Sequence, residues 1–325
     1  MIKNKNVDHV SKEEPFIYSD QIEFPGFSFY SRRDYHLFKV SFVDGVPGFF
    51  FNSCHFKPLI PLLCLTIVIM NFFYCIWYLL PKYPNDRVNL FVFPLVLSIL
   101  FSLSYIKCMI DGPGYFPFYW GSDVYQSTNQ NDEGCGLIGN EESPSGIISN
   151  KQQLQWSRTQ PRPGRSIVST FAKRIVIRPD HVCMFTGVWI GKRNMKFFII
   201  FNLYSSILSG ITLLYTIRRG FFIYKKGAQI NIEALLLAIV LLSSLDLCFL
   251  SFGYFLLSLI RTLMGRTDWE IKNSIPPERF DYGIKKNCED VFGECNKCIT
   301  FLLPTNPFCG KSNTQLIQGY QSYYE

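Results

Sequence analysis

Three absences in this 325-residue chain each remove a class of reading. No apolar run opens it, so no secretory signal peptide is expected; the first 57 residues are polar and mixed, with seven Lys or Arg. No basic face sits on a soluble domain. The net charge is +7, but Lys and Arg gather in clusters beside apolar runs, where such charge sets topology and meets anionic lipid. Nucleic-acid binding is thereby excluded. No second tight cysteine pair accompanies the CxxC of Cys295 and Cys298, with Cys288 and Cys309 nearby. Zinc at those four is therefore the lesser reading beside reduced or surface-acylated thiols. Three of the four histidines, His9, His36 and His55, show no partner pattern.

What is abundant is apolar. Hydrophobic residues make up 48% and aromatics 17%, with 31 Phe, a load that suits a membrane protein. Four runs are long enough to cross a bilayer, which takes ~20 residues: about 59–80, 90–110, 197–217 and 234–260. The expected fold is an α-helical integral membrane protein of four transmembrane helices, with a small strand-rich cytosolic module between spans two and three. Cys64, Cys75, Cys108 and Cys248 fall in the runs and read as packing residues. The N-terminal region, the loop 111–195 with nine basic residues, and the basic tail after Arg261 share the cytosolic side by the positive-inside rule. Arg218, Arg219, Lys225 and Lys226 depart from it, because they land on the other side. Asp246, inside span four, is costly there and should face other helices or water.

The long loop has two parts. Residues 121–160 are rich in Ser, Asn, Gln, Glu and Gly and read as a disordered insertion. From Arg162 onward, Ile167, Val168, Phe171, Ile175, Val176 and Ile177 give short β-prone runs broken by Lys173 and Arg174. Directly after them stands Asp180-His181-Val182-Cys183, about a dozen residues ahead of span three. A thiol is mostly protonated at neutral pH; a neighbouring imidazole can take its proton, and a carboxylate can fix the imidazole tautomer. Asp180, His181 and Cys183 supply those groups at a bilayer surface.

The ordered set of motifs around this tetrad resembles the DHHC family of integral-membrane protein S-acyltransferases. After span two, Asp111-Gly112-Pro113-Gly114 is similar to the family's Asp-Pro-Gly motif with one inserted Gly. After the tetrad, Gly191, Asn194, Lys196, Phe197 and Phe198 match the approach to span three. Thr267-Asp268-Trp269-Glu270 resembles the Thr-Thr-x-Glu motif with its second Thr lost, and Asn287 with Val291-Phe292-Gly293 and Leu302-Leu303-Pro304 resembles the tail pattern. The resemblance divides the chain into a cytosolic N-terminal region (1–57), spans one and two (58–110), a cytosolic loop with the insertion (111–160), a degenerate DHHC-type catalytic module (161–195), spans three and four (196–262) and a cytosolic tail (263–325).

The family's module binds two zinc ions, each by three Cys and one His. Here the ligand positions read Ser166, Val168, Ser169, Ala172, Ile175, Val182 and Trp189, and no sulfur lies between Cys135 and Cys183. Ligands lost together imply a zinc-free module in which packing replaces the metal, and no other bound cofactor. The resemblance implies two-step transfer of a long-chain acyl group, palmitoyl as the family suggests, from acyl-CoA to Cys183 and then to client proteins with juxtamembrane cysteines. His181 would take the thiol proton and Asp180 would orient it. The chain would lie in a cavity among the spans, and the CoA phosphates would meet Lys173, Arg174, Lys192 and Arg193. Asp111, Pro113, Gly114, Thr267, Glu270 and Asn287 would hold loops against spans. The active site and both termini would be cytosolic, in the endomembrane system or plasma membrane. The alternative is a weak or inactive DHHC-like pseudoenzyme serving as a membrane scaffold; loss of zinc, of the second Thr near Thr267 and of Pro and Trp after the Cys, Met184 and Phe185 here, favours it, whereas retention of Asp180, His181 and Cys183 favours activity. An unrelated four-span structural or transport protein would leave the ordered motifs without a reason.

Overall fold

The computed structural model describes residues 59–116, 164–169, 174–226, 232–294 and 298–311, with short stretches at 15–16, 41–43, 46–48 and 148–149 and the single Leu316. The expected insertion lies outside them apart from Ile148–Ser149, which pairs with Pro15–Phe16. Lys173, Cys295, His9, His36 and His55 also lie outside the described residues. The chain falls into two compact units: Met1–Lys57 with Gly114–Pro179 and Gly310–Glu325, and Pro58–Pro113 with Asp180–Cys309. The expected catalytic module is thus divided at Pro179.

The second unit holds four helices long and apolar enough to cross a membrane: Ile60–Lys82, Val88–Asp111, Met195–Lys225 and Ile232–Leu263, called spans one to four. The chain is a multi-pass integral membrane protein. Span three packs against each of the other three. Its packed faces carry small polar residues, which let helices approach closely where apolar burial gives no preference over lipid. Ser205, Ser209, Thr212 and Thr216 are buried. Three of their hydroxyls turn back to carbonyls of their own helix, Ser209 to Ser205, Thr212 to Leu208 and Thr216 to Thr212, at 2.7–3.0 Å. Ser251 of span four reaches Ser205 at 3.1 Å, and Ser244 reaches Asn71 of span one at 3.2 Å.

Span three runs past the expected Ile217 to Lys225, about 46 Å at 1.5 Å per residue against a hydrocarbon core of about 30 Å. The four basic residues that break the positive-inside rule are mostly helical here. Two of them are neutralised: Arg218 meets Asp86 at 3.3 Å, and Arg219 meets Glu233 at 2.8 Å. Lys225 and Lys226 lie over the rings of Phe221 and Phe222. Asp246 is exposed on span four.

Three joints after the spans shape the site. Asn194, fully buried ahead of span three, donates to the carbonyls of Cys108 (3.1 Å) and Trp189 (2.8 Å) and accepts from Gly191 N–H (2.8 Å). One side chain thus ties span two to the turn entering span three. Span four ends at Gly265, whose φ of +64° and closeness to Asn287 and the Phe280 carbonyl leave no room for a Cβ. Thr267 then caps the short helix α1 (Asp268–Lys272) by a capping box: its hydroxyl accepts from Glu270 N–H and the Glu270 carboxylate from Thr267 N–H. Helix α2 (Ile284–Phe292) returns to the end of span four through Asn287, which donates to the Leu263 carbonyl at 3.0 Å and to Asp281 at 2.7 Å.

The first unit contains a three-stranded antiparallel sheet of β1 (Tyr115–Phe116), β2 (Ser166–Ser169) and β3 (Arg174–Ile177), with β3 central. The predicted β-prone runs are these strands, with Arg174 inside β3. In the second unit, β4 (His181–Cys183) and β5 (Val188–Ile190) form a hairpin across a four-residue turn, which Gly187 closes with φ +72°.

Candidate active site

A strand alternates faces every residue, so β4 sets His181 and Cys183 on one face and Val182 on the other. The first pair is the reacting couple suggested by the sequence. Asp180 precedes the strand with its N–H bonded to the Ile190 carbonyl at 2.8 Å. Its carboxylate is 2% exposed and works in two directions: Oδ2 meets His181 Nδ1 at 2.6 Å, and Oδ1 accepts the Asp268 N–H at 3.0 Å. With Nδ1 so engaged, the other ring nitrogen is left for the thiol. The Phe198 ring braces the imidazole edge-on, centroids 5.0 Å apart. Behind it Phe201, Tyr105 and Phe101 continue the aromatic packing.

The electrostatics favour an ion pair. Burial pushes the Cys183 thiol up, but the hydrogen bond and positive charge of His181, with smaller help from Thr186, outweigh it and hold the thiol below its ordinary value. For His181, burial works against the charged form. Hydrogen bonds to Asp180 and Cys183 and their negative charges overcome it and raise the imidazole to about 9. Each group thus supports the charged form of its neighbour. Cys183 itself is 3% exposed, while the His181 side chain is 22% exposed.

His181 opens onto a cavity of about 460 Å³, within the ~300–1,000 Å³ usual for ligand sites. Its long wall is one face of span four: Phe249, Leu250, Gly253, Tyr254, Leu257 and Ser258. At Gly253 a Cβ would meet nothing within 4 Å, so the glycine leaves open width. At the mouth stand Arg261, Asp268 and Lys272. The sequence reading missed these three and Gly253. Their only signal there was a glycine inside an apolar run and a charged cluster just after it.

The basic residues expected to hold CoA need correction. Lys192 is buried; its ammonium is bound to the Asp290 carboxylate and carbonyl and lies over the Phe308 ring. Arg193 is buried too, its N–H bonded to Pro113 O at 3.1 Å and its charge acting on Asp111 together with that of Lys107. Both serve the frame and are not presented to a phosphate. Arg174 stands in β3, and Lys173 is beyond the described residues. Among the motif residues, Asp111 ends span two and Pro113 holds Arg193. Gly114 O accepts from Ile177 N–H at 3.1 Å, and Thr267, Glu270 and Asn287 make the joints described above.

The zinc-ligand positions do not fit a metal. Val168 and Ile175 face each other across β2 and β3, and Val182 and Trp189 face each other across β4 and β5. Four positions that would carry thiolate or imidazole are two apolar cross-strand pairs. No group of three or more His, Cys, Asp or Glu able to hold a metal occurs among the described residues.

Residues 148–275 match the family model of the DHHC palmitoyltransferases. Probable protein S-acyltransferase 12 of Arabidopsis thaliana is 27% identical over 66% of this chain and 72% of its own length. Palmitoyltransferase PFA3 of Candida albicans is 23% identical over 78% of each. Palmitoyltransferase ZDHHC22 of Danio rerio is 38% identical over a shorter segment, 28% of this chain and 29% of its own. The fold and these matches define a membrane-bound protein-cysteine S-acyltransferase of the palmitoyltransferase type. Over residues 148–275 the chain is similar to the DHHC family, and its Asp-His-Val-Cys signature diverges from that family's.

The ion pair predicts a reactive thiol. Cys183, followed by mass spectrometry of its peptide, should react with a small uncharged alkylating agent at pH 7 at least about tenfold faster than in His181→Ala, since each unit of thiol pKa changes the thiolate fraction tenfold. Because the thiol lies below its ordinary value, the advantage should be full at low pH and shrink toward equality as pH rises through the range where the variant's thiol ionises. Equal rates in the two proteins at every pH would show that no ion pair exists.

Proposed function

We propose that the chain moves a long-chain acyl group, palmitoyl by its class, from acyl-CoA through an acyl-Cys183 intermediate to cysteines of client proteins at the membrane surface. The observation that carries this reading is the Asp180–His181–Cys183 chain, placed where His181 lines a half-open groove along span four, with an apolar wall and charged Arg261, Asp268 and Lys272. The Cys183 thiolate attacks the thioester carbonyl and forms a carbon–sulfur bond. The bond to CoA breaks, and the departing CoA sulfur takes the proton held by His181. In the second half, His181 accepts the proton of a client thiol, whose sulfur attacks the acyl-enzyme and releases Cys183 as thiolate. Asp180 holds the ring throughout and remains charged.

The acyl chain would lie along Phe249, Leu250, Gly253 and Leu257. Lys173 and Arg174 remain the proposed contacts for the CoA phosphates. A zinc-free module is part of the reading, supported by the Val168–Ile175 and Val182–Trp189 pairs. The active site and both termini are proposed to face the cytosol, where acyl-CoA and the positive charge lie, in the endomembrane system or plasma membrane. A pseudoenzyme that only scaffolds would have no use for a lowered thiol held by an oriented imidazole, so the intact pair favours the enzyme.

Three measurements test these points. In detergent with a clickable palmitoyl-CoA analogue, the parent protein should acquire a hydroxylamine-labile label that Cys183→Ser abolishes. His181→Ala should cut labelling by ~10²-fold, and Gly253→Phe, which fills the cavity, should shift preference toward shorter chains. A label that survives Cys183→Ser but is lost in Cys288→Ala would mark passive tail acylation and favour the scaffold. Elemental analysis of purified protein should find well under one zinc per chain, and chelators should leave labelling unchanged; two zinc ions would overturn the zinc-free reading. In sealed vesicles of known orientation, an impermeant thiol reagent should reach the exposed Cys309 from the cytosolic side. Labelling only from the lumen would invert the topology.

A further inference from the structure

Asp268 stands where the family motif has its second Thr, so an acid has replaced a neutral hydroxyl residue beside the reacting groups. Its backbone N–H is a direct ligand of the Asp180 carboxylate, at 3.0 Å. Its side chain faces two cations: Arg261, in the last turn of span four, reaches Oδ1 at 2.8 Å, and Lys272, one turn along α1, reaches Oδ2 at 2.5 Å. Asp268, Arg261 and Lys272 all line the cavity that His181 lines. A second uncompensated carboxylate here would oppose the thiolate of Cys183 and crowd Asp180, whose own negative charge the imidazolium needs.

The two cations are not equivalent. The Lys272 side chain is 71% exposed and its pairing is screened by water, so it contributes little. Arg261 is 23% exposed and Asp268 13%, and the guanidinium comes from a different element. It therefore neutralises the acid and also fixes α1 against the end of span four. Fixing α1 fixes the N–H that holds Asp180 Oδ1.

We propose that Arg261 is a positioning residue whose ion pair with Asp268 forms a charge lock, through which the chain tolerates an acid beside Asp180 and keeps the His181–Cys183 couple reactive. The lock acts through Asp268, Asp180 and His181 in turn, and Arg261 has no part in bond making. The proposal rests on the reading of Cys183 as the nucleophile. It makes a signature that a merely structural arginine lacks: the requirement for Arg261 should vanish when Asp268 becomes the neutral residue of the motif.

The test follows two readouts on full-length protein in detergent. One is alkylation of Cys183 by a small uncharged reagent, quantified on its peptide; the other is autoacylation by palmitoyl-CoA. Arg261→Gln should slow both about tenfold, a change equal to one unit of thiol pKa. Arg261→Lys should recover most of the loss. Arg261→Gln combined with Asp268→Thr should return to within about twofold of the parent. Parent-like alkylation in Arg261→Gln would overturn the lock. So would a double variant as slow as Arg261→Gln alone, including the case in which the single variant does not fold and Asp268→Thr fails to rescue it. A parent protein whose Cys183 alkylates readily but takes no acyl group would sink the transferase reading and leave the lock standing. Autoacylation that is indifferent to Arg261 would sink the lock alone.

Discussion

The site depends on one buried carboxylate. Asp180 has both oxygens committed, one to the His181 ring and one to the first N–H of the helix after span four. Hydrogen bonds to a charged group contribute roughly 1.5–3 kcal/mol each, and a buried carboxylate without partners is far costlier than that gain. The hairpin bearing His181 and Cys183 is therefore fastened to the end of span four by the same group that orients the imidazole. The capping box of Thr267 and Glu270 and the turn at Gly265 place that N–H, while Asn287 and α2 hold the turn. Motif residues with no contact to a substrate thus act on the thiol through two intervening bonds.

The second constraint is how the module holds together without thiolate and imidazole at its ligand positions. A cross-strand apolar pair contributes roughly 0.2–1 kcal/mol, against about 10–16 kcal/mol for a structural zinc in a small peptide. Val168–Ile175 and Val182–Trp189 cannot match a metal by themselves. In the second unit polar anchors also surround the hairpin. Asn194 joins span two, the turn and span three. Lys192 binds Asp290. The Lys196 ammonium, buried at the start of span three, is bound by the Thr300 and Thr305 carbonyls and the Thr305 hydroxyl at 2.8–3.0 Å. The tail is part of the frame around the site.

Much of this was legible in the chain, for definite reasons. Apolar runs marked the four spans because the bilayer demands length and composition before any partner is chosen. The tetrad was legible because an acid, an imidazole and a thiol stand within four residues; the strand that puts His181 and Cys183 on one face came only with the structure. What could not be read depended on partners distant in sequence. Lys192 looked like free juxtamembrane charge, yet its acid is 98 residues away. Arg218 looked like loop charge, yet it pairs with Asp86, 132 residues earlier, and the helix continues through it. The replacement of Thr by Asp268 read as decay, and only the approach of Arg261 shows the acid to be accommodated.

Closing two hairpins with Val–Ile and Val–Trp contacts changes how the module answers to temperature. Coordination bonds owe little to water, whereas apolar contacts draw on hydration and weaken on cooling. Apolar contacts of this kind are weakest at the cold end of a working range, where a coordination bond keeps its grip.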